Sequence, residues 1–278
     1  MRILLTGGDG FIGRNLTDYL TKKKIPILSI VRRSKRKNNK KNLTFIKTDI
    51  KNIDLILNKI KKFKPSVVIH LAWDKIPDFS YENSKENYLN SKSFLEKLNK
   101  IETIKKIIIS GSCFEDKKIT PKIKYFIKFK KKLKEWSINF FKNKSVYWLK
   151  IYYIYGHGQR PNSLIPYLIK NLLSGKKFEI KSLTDKNNYI HISDFCSAVK
   201  LLLKKNFKSQ TFNIKYKYKT PNYNLCKFAE LRINKKNILF KKKYKKLILE
   251  INNKKITGWI PKIDFFKGIN DMVNKYKK

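Results

Sequence analysis

Short apolar runs alternate with longer amphipathic stretches along the first half of the chain. The runs RILLT, IPILSIV, LTFIKTDI, PSVVIHLAW and IKKIIISGS have the length and the β-branched content of buried strands. The stretches DLILNKIKKF and ENYLNSKSFLEKLNKI, which lie between them, carry apolar residues at helical spacing. This alternation predicts an α/β fold built on a doubly wound parallel sheet.

A glycine-rich turn separates the first predicted strand from the first predicted helix. Gly7, Gly10 and Gly13 have the spacing GxxGxxG. The first two allow the backbone to turn tightly and to approach a pyrophosphate, and the third lets helix and strand pack closely. The amino terminus of the helix then offers N–H groups and a partial positive charge to the phosphates. The pattern predicts a dinucleotide site in a Rossmann-like sheet.

The second half of the chain is expected to serve both the sheet and a smaller domain. The strands YWLKIYYIYG and TFNIK and the helix SDFCSAVKLLLKK are expected to return to the sheet. The remainder is expected to form a mixed α/β cap that binds substrate over the carboxyl edge of the strands. We predict a dinucleotide-binding domain over residues 1–158 and a cap over residues 159–278, with segments near 189–214 returning to the first domain.

Two arginines follow the second predicted strand, where an acidic residue usually holds the ribose of NAD. Arg32 and Arg33 suit a 2′-phosphate instead. Arginine is scarce in this chain, since only seven of the 66 basic residues are Arg, so a pair at this position carries weight. NADP(H) is therefore the predicted cofactor, with NAD(H) as the alternative.

The formal net charge of +46 would ordinarily indicate a nucleic acid or an anionic membrane as partner. The excess is almost all lysine, spread along the whole chain, and the chain also holds 37 Ile and 26 Asn. These three residue types share AT-rich codons, so genome composition explains them together, with the lysines on solvated faces. A nucleic-acid site would favour arginine. We expect no specific nucleic-acid partner.

Cysteine usage and hydropathy narrow the class of protein further. Cys113, Cys196 and Cys226 form no CxxC pair, so neither a disulfide framework nor a metal site is expected. The start MRILLTGG meets glycine too early for a signal peptide, and no apolar run approaches the length of a membrane span. We expect a cytoplasmic protein without a membrane partner.

Motifs in a fixed order run from residue 3 to residue 269. TGGDGFIG, Thr48-Asp49-Ile50, HLAW at 70–73 and SGSC at 110–113 are followed by LKIYYIYGHGQRPNS, NNYIHISDF, TFNIK and TGWIPKIDFFKGI. Together they resemble the extended short-chain dehydrogenase/reductases, specifically the NAD-dependent epimerase/dehydratase family of nucleotide-sugar enzymes. The resemblance implies that these motif residues contact the cofactor: Gly7, Gly10, Phe11, Ile12, Gly13, Asp49, Ile50, Leu71 and Ala72.

The chemistry of this family uses a serine or threonine, a tyrosine, and a lysine four residues after the tyrosine. The resemblance gives Ser112 the serine role, in which the hydroxyl binds the substrate oxygen. Tyr125 is the predicted proton donor. Lys130 is the predicted lysine, which binds the cofactor ribose and lowers the pKa of the phenol. Arg160 and Asn162 are predicted, with Ser112, to contact the substrate.

The helix that carries the tyrosine and the lysine can be aligned with the family's motif in more than one way. Alignment on the family's later leucine, glutamate and aromatic residue gives Lys130 the lysine role but gives Phe126 the tyrosine role. Alignment on the glutamate alone gives Lys131 the lysine role and Ile127 the tyrosine role. Either Tyr125 reaches the site and pairs with Lys128, Lys130 or Lys131, or the tyrosine role has been lost to Phe126.

The resemblance implies an NADP(H)-dependent reductase of a 4-keto-6-deoxy nucleotide sugar as the first choice of function. The alternative is an NAD-dependent 4-epimerase or a dehydratase, for which Glu115 and Asp116 are the candidate carboxylates. The second alternative is a non-catalytic nucleotide-binding scaffold. A homodimer is expected from the family.

Four further residues are predicted to be structural. His70 and His191 are expected to pack and to form hydrogen bonds, and Cys113 is expected to be a small buried residue. Asp194 is expected to cap the helix that follows it.

Overall fold

A computed structural model describes residues 1–33, 41–176, 179–180, 182–216, 218–233 and 259–277. The strands are β1 (Ile3–Thr6), β2 (Ile27–Val31), β3 (Leu43–Lys47), β4 (Val67–His70), β5 (Lys106–Ser112), β6 (Ser145–Ile151), β7 (Tyr153–Tyr155), β8 (Lys186–Asn187), β9 (Tyr189–His191), β10 (Gln210–Ile214) and β11 (Thr220–Pro221). The α-helices are α1 (Phe11–Thr21), α2 (Leu57–Phe63), α3 (Tyr81–Asn99), α4 (Lys124–Phe140), α5 (Leu164–Leu173), α6 (Ile192–Lys204), α7 (Asn222–Ile233) and α8 (Phe265–Tyr276). Two 3₁₀ helices cover Ile50–Ile56 and Cys113–Asp116.

Seven strands form one sheet in the order β10-β6-β5-β4-β1-β2-β3. The pairs from β3 to β6 are parallel, with Ile3 of β1 opposite Ile27 of β2 on one side and Val67 of β4 on the other. The predicted doubly wound α/β fold is thus confirmed. The strand order reverses between β1 and β4, and open sheets of this kind bind ligands outside the carboxyl ends of the strands at such a point.

The chain divides into two compact units. The first contains Met1–Ile151 and Val199–Asn213, and the second contains Tyr152–Ala198 and Ile214–Lys278. The sequence placed the boundary at 158 and the returning segment near 189–214, whereas the units of the structure divide at Ile151 and return Val199–Asn213 to the first unit.

The core of the first unit joins the sheet to the helices beside it. Leu4, Val68 and Ile107 of three neighbouring strands pack in one cluster with Phe94 and Leu98 of α3, and all five side chains are buried. Burial of each such side chain stabilises the fold by roughly 1.5–3 kcal/mol. Every residue of β1 and β2 is buried, which is why these strands read as continuous apolar runs.

The second unit has its own core. Tyr155 of β7 and Tyr189 of β9 pack with Leu225 of α7 and with Phe265 and Ile269 of α8. The last motif of the sequence lies partly in this core, although its first two residues, 257 and 258, lie outside the described residues. Asp264 is the N-cap of α8, and its carboxylate accepts the N–H of Lys267 at 2.7 Å.

Some of the lysine excess has a structural use that composition did not reveal. Lys106 of β5 is buried, and its Nζ donates to the carbonyl oxygens of Leu202, Leu203 and Lys205 at 2.8, 3.1 and 2.8 Å. These carbonyls close the carboxyl end of α6, where a cation is favourable. The expectation that the lysines occupy solvated faces is therefore wrong for Lys106, because its ammonium satisfies backbone groups that burial would leave unpaired.

Among the helices of the described residues, none combines the length and the apolar composition needed to cross a membrane.

Candidate active site and cofactor cleft

The glycine turn is packed as its spacing predicted. A Cβ atom on Gly13 would lie 2.1 Å from the carbonyl oxygen of Gly7, and one on Gly7 would lie 3.0 Å from the backbone nitrogen of Ala72. Gly7 also has a φ of +73°, which L side chains rarely adopt. Gly10 is the N-cap of α1 and has no side chain to accept from the first N–H groups of the helix, which the sequence predicts to bind a phosphate.

We expect Gly13→Ala to lower the free energy of unfolding by roughly 2–3 kcal/mol, because the added methyl group overlaps the backbone of the turn. Gly10→Ala is the matched control: its φ of −72° and ψ of 167° suit alanine, and its Cβ would lie 3.3 Å from the nearest atom, the oxygen of Gly7. Urea denaturation measures both variants. An equal loss of stability in the two would contradict the packing argument.

One cleft lies at the carboxyl ends of β1, β2 and β4, at the point where the strand order reverses. Seven predicted cofactor residues line it: Gly7, Gly10, Arg32, Asp49, Ile50, Leu71 and Ala72. Phe11, Ile12 and Gly13 form the first turn of α1 beside it. Sequence reasoning missed Asp9, Trp73, Asp74 and Glu86, which also line the cleft. Trp73 is the last residue of the HLAW motif at 70–73, of which the sequence analysis assigned only Leu71 and Ala72 to the cofactor.

Arg32 is held by a carboxylate that the sequence did not connect to it. Its two terminal nitrogens donate to the two oxygens of Asp74 at 2.5 and 2.6 Å, and Asp49 lies 3.9 Å away. The hydrogen bond from Arg32 lowers the pKa of Asp74 and raises that of Arg32. Arg33 is exposed, and its backbone N–H donates to Asp9 at 3.4 Å. Of the two predicted 2′-phosphate ligands, Arg32 is therefore paired with a carboxylate and lines the cleft, whereas Arg33 is not among the lining residues.

His70 of β4 is in hydrogen-bonding distance of both β1 and α3. Its Nδ1 lies 2.9 Å from the hydroxyl of Thr6, and its Nε2 lies 3.0 Å from the hydroxyl of Ser91. Burial, together with the ammonium of Lys130, lowers the pKa of His70 to about 3, so the ring is neutral at physiological pH. These contacts fit the structural role that the sequence predicted.

Ser112 ends β5 and starts the 3₁₀ turn after it. Its hydroxyl accepts the N–H of Phe114 at 3.2 Å, and its own N–H donates to the carboxylate of Glu115 at 2.7 Å. The buried Glu115 also accepts the indole N–H of Trp148, with its oxygens at 3.0 and 3.1 Å. This carboxylate therefore holds the turn that positions Ser112. Cys113 is buried as predicted, and burial raises the pKa of its thiol to about 11.

Lys130 is the buried member of the three candidate lysines, while Lys128 and Lys131 are exposed. Its Nζ donates to the carbonyl oxygen of Ser110 at 2.7 Å and lies 3.9 Å from the ring centroid of Trp73. Burial lowers the pKa of the Lys130 ammonium to about 7, and the attraction of Glu115 opposes that shift. Lys130 is not among the residues that line the cleft, whereas Trp73, whose ring its Nζ contacts, does line it.

Phe126 shares a helix face with Lys130, four residues further along α4. Its buried ring lies 5.9 Å from the Lys130 Nζ and packs on Trp73, Phe79 and Phe114 with centroids 5.6, 4.7 and 6.2 Å apart. An aromatic cluster thus stands where the family has a phenol.

Tyr125 lies on a different part of α4. Its ring packs edge-on against Tyr81 of α3 at 5.3 Å, and the Nζ of Lys124 lies 5.0 Å from its centroid. The structure therefore brings Lys130 to the strand end that carries Ser112, with Phe126 beside it, and turns Tyr125 towards α3. The proton-donor role of Tyr125 stays a prediction, and so do the roles of Ser112 and Lys130.

The second unit holds the remaining candidates. Arg160 and Asn162 are exposed in the loop between β7 and α5. His191 is buried beside Tyr155, with ring centroids 5.4 Å apart, as a packing role predicts. The prediction for Asp194 is wrong: it lies in the first turn of α6, and its carboxylate accepts the N–H groups of Lys262 and Ile263, both at 2.9 Å. It ties two distant segments together instead of capping a helix.

The family model described as the NAD dependent epimerase/dehydratase family matches residues 3–214. The chain belongs to this family. Its members include NAD-dependent epimerases, dehydratases and oxidoreductases that act on nucleotide sugars. The cleft at the switch point of the sheet stays the predicted cofactor site, since seven of the residues assigned to the cofactor line it.

Two relatives illustrate the range of activities. The chain is 30% identical over 264 residues to the dTDP-D-glucose 4,6-dehydratase of Dictyostelium discoideum. The alignment covers 81% of this chain but only 61% of the length of that relative. It is 24% identical over 311 residues to the dTDP-4-dehydro-6-deoxyglucose reductase of Escherichia coli, with 99% of this chain and 97% of the relative covered.

A solved structure has the same fold. The dTDP-glucose 4,6-dehydratase of Bacillus anthracis in complex with NAD superposes with a TM-score of 0.78 at 22% identity, covering 100% of this chain and 96% of that one. The cofactor bound in that relative is NAD, so the predicted preference for NADP(H) finds no support there.

Proposed function

We propose that the chain binds a nicotinamide dinucleotide and reduces the 4-keto carbon of a 6-deoxy nucleotide sugar. The observation that carries the proposal is the buried Lys130, whose ammonium is held on the carbonyl of Ser110 at the strand end that bears Ser112. A buried lysine is costly, and Lys130, unlike the buried Lys106, lies at the carboxyl end of β5, the edge of the sheet where ligands bind. The full-length match to a 4-keto-sugar reductase supports the choice of reaction.

Each predicted site residue has a separate role in the proposed reaction. The hydroxyl of Ser112 binds the keto oxygen, and Lys130 binds the cofactor ribose and places a positive charge beside the oxygen that becomes an alkoxide. A bound nicotinamide supplies the hydride. The alkoxide takes its proton from Tyr125, as the sequence predicts, or else from water, since Phe126 at the position four residues before Lys130 has no proton to give. Arg160 and Asn162 are proposed contacts of the substrate.

The cofactor form is part of the proposal. Arg32, which lines the cleft, and Arg33 both follow β2, where the sequence pattern places a 2′-phosphate, and this position supports NADP(H) over NAD(H). The proposed homodimer and the cytoplasmic location remain predictions.

A second candidate is a nucleotide-binding protein without catalysis. Phe126 favours it, because no phenol lies four residues before the lysine and the described aromatic cluster fills that place. Dehydration has weaker support in spite of the dehydratase relative. Glu115 is committed to Trp148 and Ser112, and Asp116 accepts from the ammonium of Lys150 at 2.5 Å, so neither carboxylate is poised as an acid or a base.

The test uses the purified full chain with NADPH or NADH and dTDP-4-dehydro-6-deoxyglucose. Oxidation of the nicotinamide is followed by absorbance and cofactor binding by fluorescence transfer from tryptophan. We expect binding and turnover. Binding without turnover would replace the reductase by the non-catalytic candidate, and binding of neither cofactor would overturn both.

A further inference from the structure

A salt bridge crosses the cofactor cleft. Arg32 lies just after β2 and Asp74 just after β4, and both line the cleft. The paired hydrogen bonds of 2.5 and 2.6 Å use both terminal nitrogens of the guanidinium. A bidentate pair of this kind is the same geometry with which arginine binds phosphate. The carboxylate of Asp74 therefore stands in the position of a phosphate.

Asp74 is the fixed partner of the pair. Its N–H donates to the side-chain oxygen of Asn87 at 2.5 Å, and its carbonyl accepts from the amides of Asn83 and Asn87 at 3.3 and 3.4 Å. One carboxylate oxygen also accepts the N–H of Lys75 at 2.7 Å. Four contacts from the loop and α3 anchor this residue. The long side chain of Arg32, which is 48% exposed, is the part that can move.

We propose that Asp74 limits the preference of the chain for NADPH over NADH by competing with the 2′-phosphate for Arg32. The inference rests on the proposed function of the cleft as a nicotinamide-dinucleotide site. NADH has no 2′-phosphate, so it leaves the pair intact. NADPH must break the pair before its 2′-phosphate can bind Arg32.

Removal of the charge on Asp74 should therefore act on one cofactor only. Asn in its place keeps the backbone contacts to Asn83 and Asn87 and keeps an oxygen for Lys75, but it no longer neutralises Arg32. We expect Asp74→Asn to lower the Kd for NADPH by about five- to tenfold, the size of effect that a part-exposed charged hydrogen bond supports. The Kd for NADH should change less than twofold. The gain should shrink at high salt.

The experiment measures both Kd values for four full-length proteins: the wild type, Asp74→Asn, Arg32→Gln and the double variant. If Asp74 acts through Arg32, the double variant shows the NADPH affinity of Arg32→Gln alone. An equal gain from Asp74→Asn in the presence and the absence of Arg32 would overturn the inference.

Glu86→Gln is the matched control for net charge. Glu86 lines the same cleft and lies 3.9 Å from the ammonium of Lys75, but it is not the partner of Arg32. A gain in NADPH affinity as large as that of Asp74→Asn would assign the effect to the general field of the cleft and overturn the role of Asp74. Binding of both cofactors with an unchanged ratio in Asp74→Asn would also overturn it. Binding of neither cofactor by any variant would instead refute the proposed function.

Discussion

A Phe126→Tyr variant should reduce a 4-keto nucleotide sugar about 100-fold faster than the wild-type chain, because a positioned general acid contributes 10²-fold or more. The new phenol would lie four residues before Lys130 on the inward face of α4. The ammonium of Lys130 would then favour the phenolate and bring its pKa towards neutrality. Steady-state oxidation of NADPH or NADH measures the change.

Tyr125→Phe is the matched control, since it removes a hydroxyl from the neighbouring position. Because Tyr125 packs against Tyr81 of α3, we expect its loss to change turnover less than twofold. A 100-fold loss in Tyr125→Phe, with no gain in Phe126→Tyr, would contradict this expectation and establish the proton-donor role that the sequence assigned to Tyr125. Thermal unfolding of both variants checks that Phe126→Tyr, at a buried position, still folds.

Lys130→Met should stabilise the fold by about 3 kcal/mol at pH 6 while it weakens cofactor binding. Burial lowers the pKa of Lys130 from its ordinary value of 10.5 to about 7 in the folded chain, so the charged form of this group destabilises the fold. Each unit of difference corresponds to ~1.4 kcal/mol. The lost hydrogen bond to Ser110 and the lost contact with Trp73 offset about 1–2 kcal/mol of the gain.

The pH dependence gives this prediction a second readout. The cost of burying the ammonium is fully present below pH 7, where Lys130 is charged in both states. It falls as the pH rises from about 7 towards 10.5, because the unfolded chain then holds the proton more firmly than the folded one. The stability difference between Lys130→Met and the wild type should shrink over that range, as measured by urea denaturation at several pH values.

Lys128→Met is the control on the same helix. Lys128 is exposed, so the same substitution should change the free energy of unfolding by less than about 0.5 kcal/mol at every pH. A gain in Lys130→Met that is constant from pH 6 to pH 10 would show that packing, rather than the buried charge, is responsible.

Short sequence motifs predicted those residues of the cleft that are close together in the chain. The glycine turn and the end of β4 follow directly from buried strands, and seven of the predicted cofactor residues line one cleft. These predictions were possible because parallel strands bring their carboxyl ends to one edge of the sheet.

The helix register of α4 could not be predicted in the same way. Phe126, Ile127, Phe129 and Lys130 are all buried, so apolar residues and lysines do not separate cleanly into two faces. Packing against Trp73 and α3 decides that Lys130 and Phe126 point one way and Tyr125 another. Charge counting likewise could not single out Lys106 and Lys130 among the lysines of the chain.

The sequence by itself determined the α/β class, the parallel sheet and the close packing of the glycine turn, because each depends on periodicity and spacing over short stretches. The tertiary structure decided that Asp74 meets Arg32, that Asp194 binds Lys262 and Ile263, and that Lys130 is buried. These contacts join residues far apart in the chain, and the geometry of a long-range pair is set by how strand ends and helices pack.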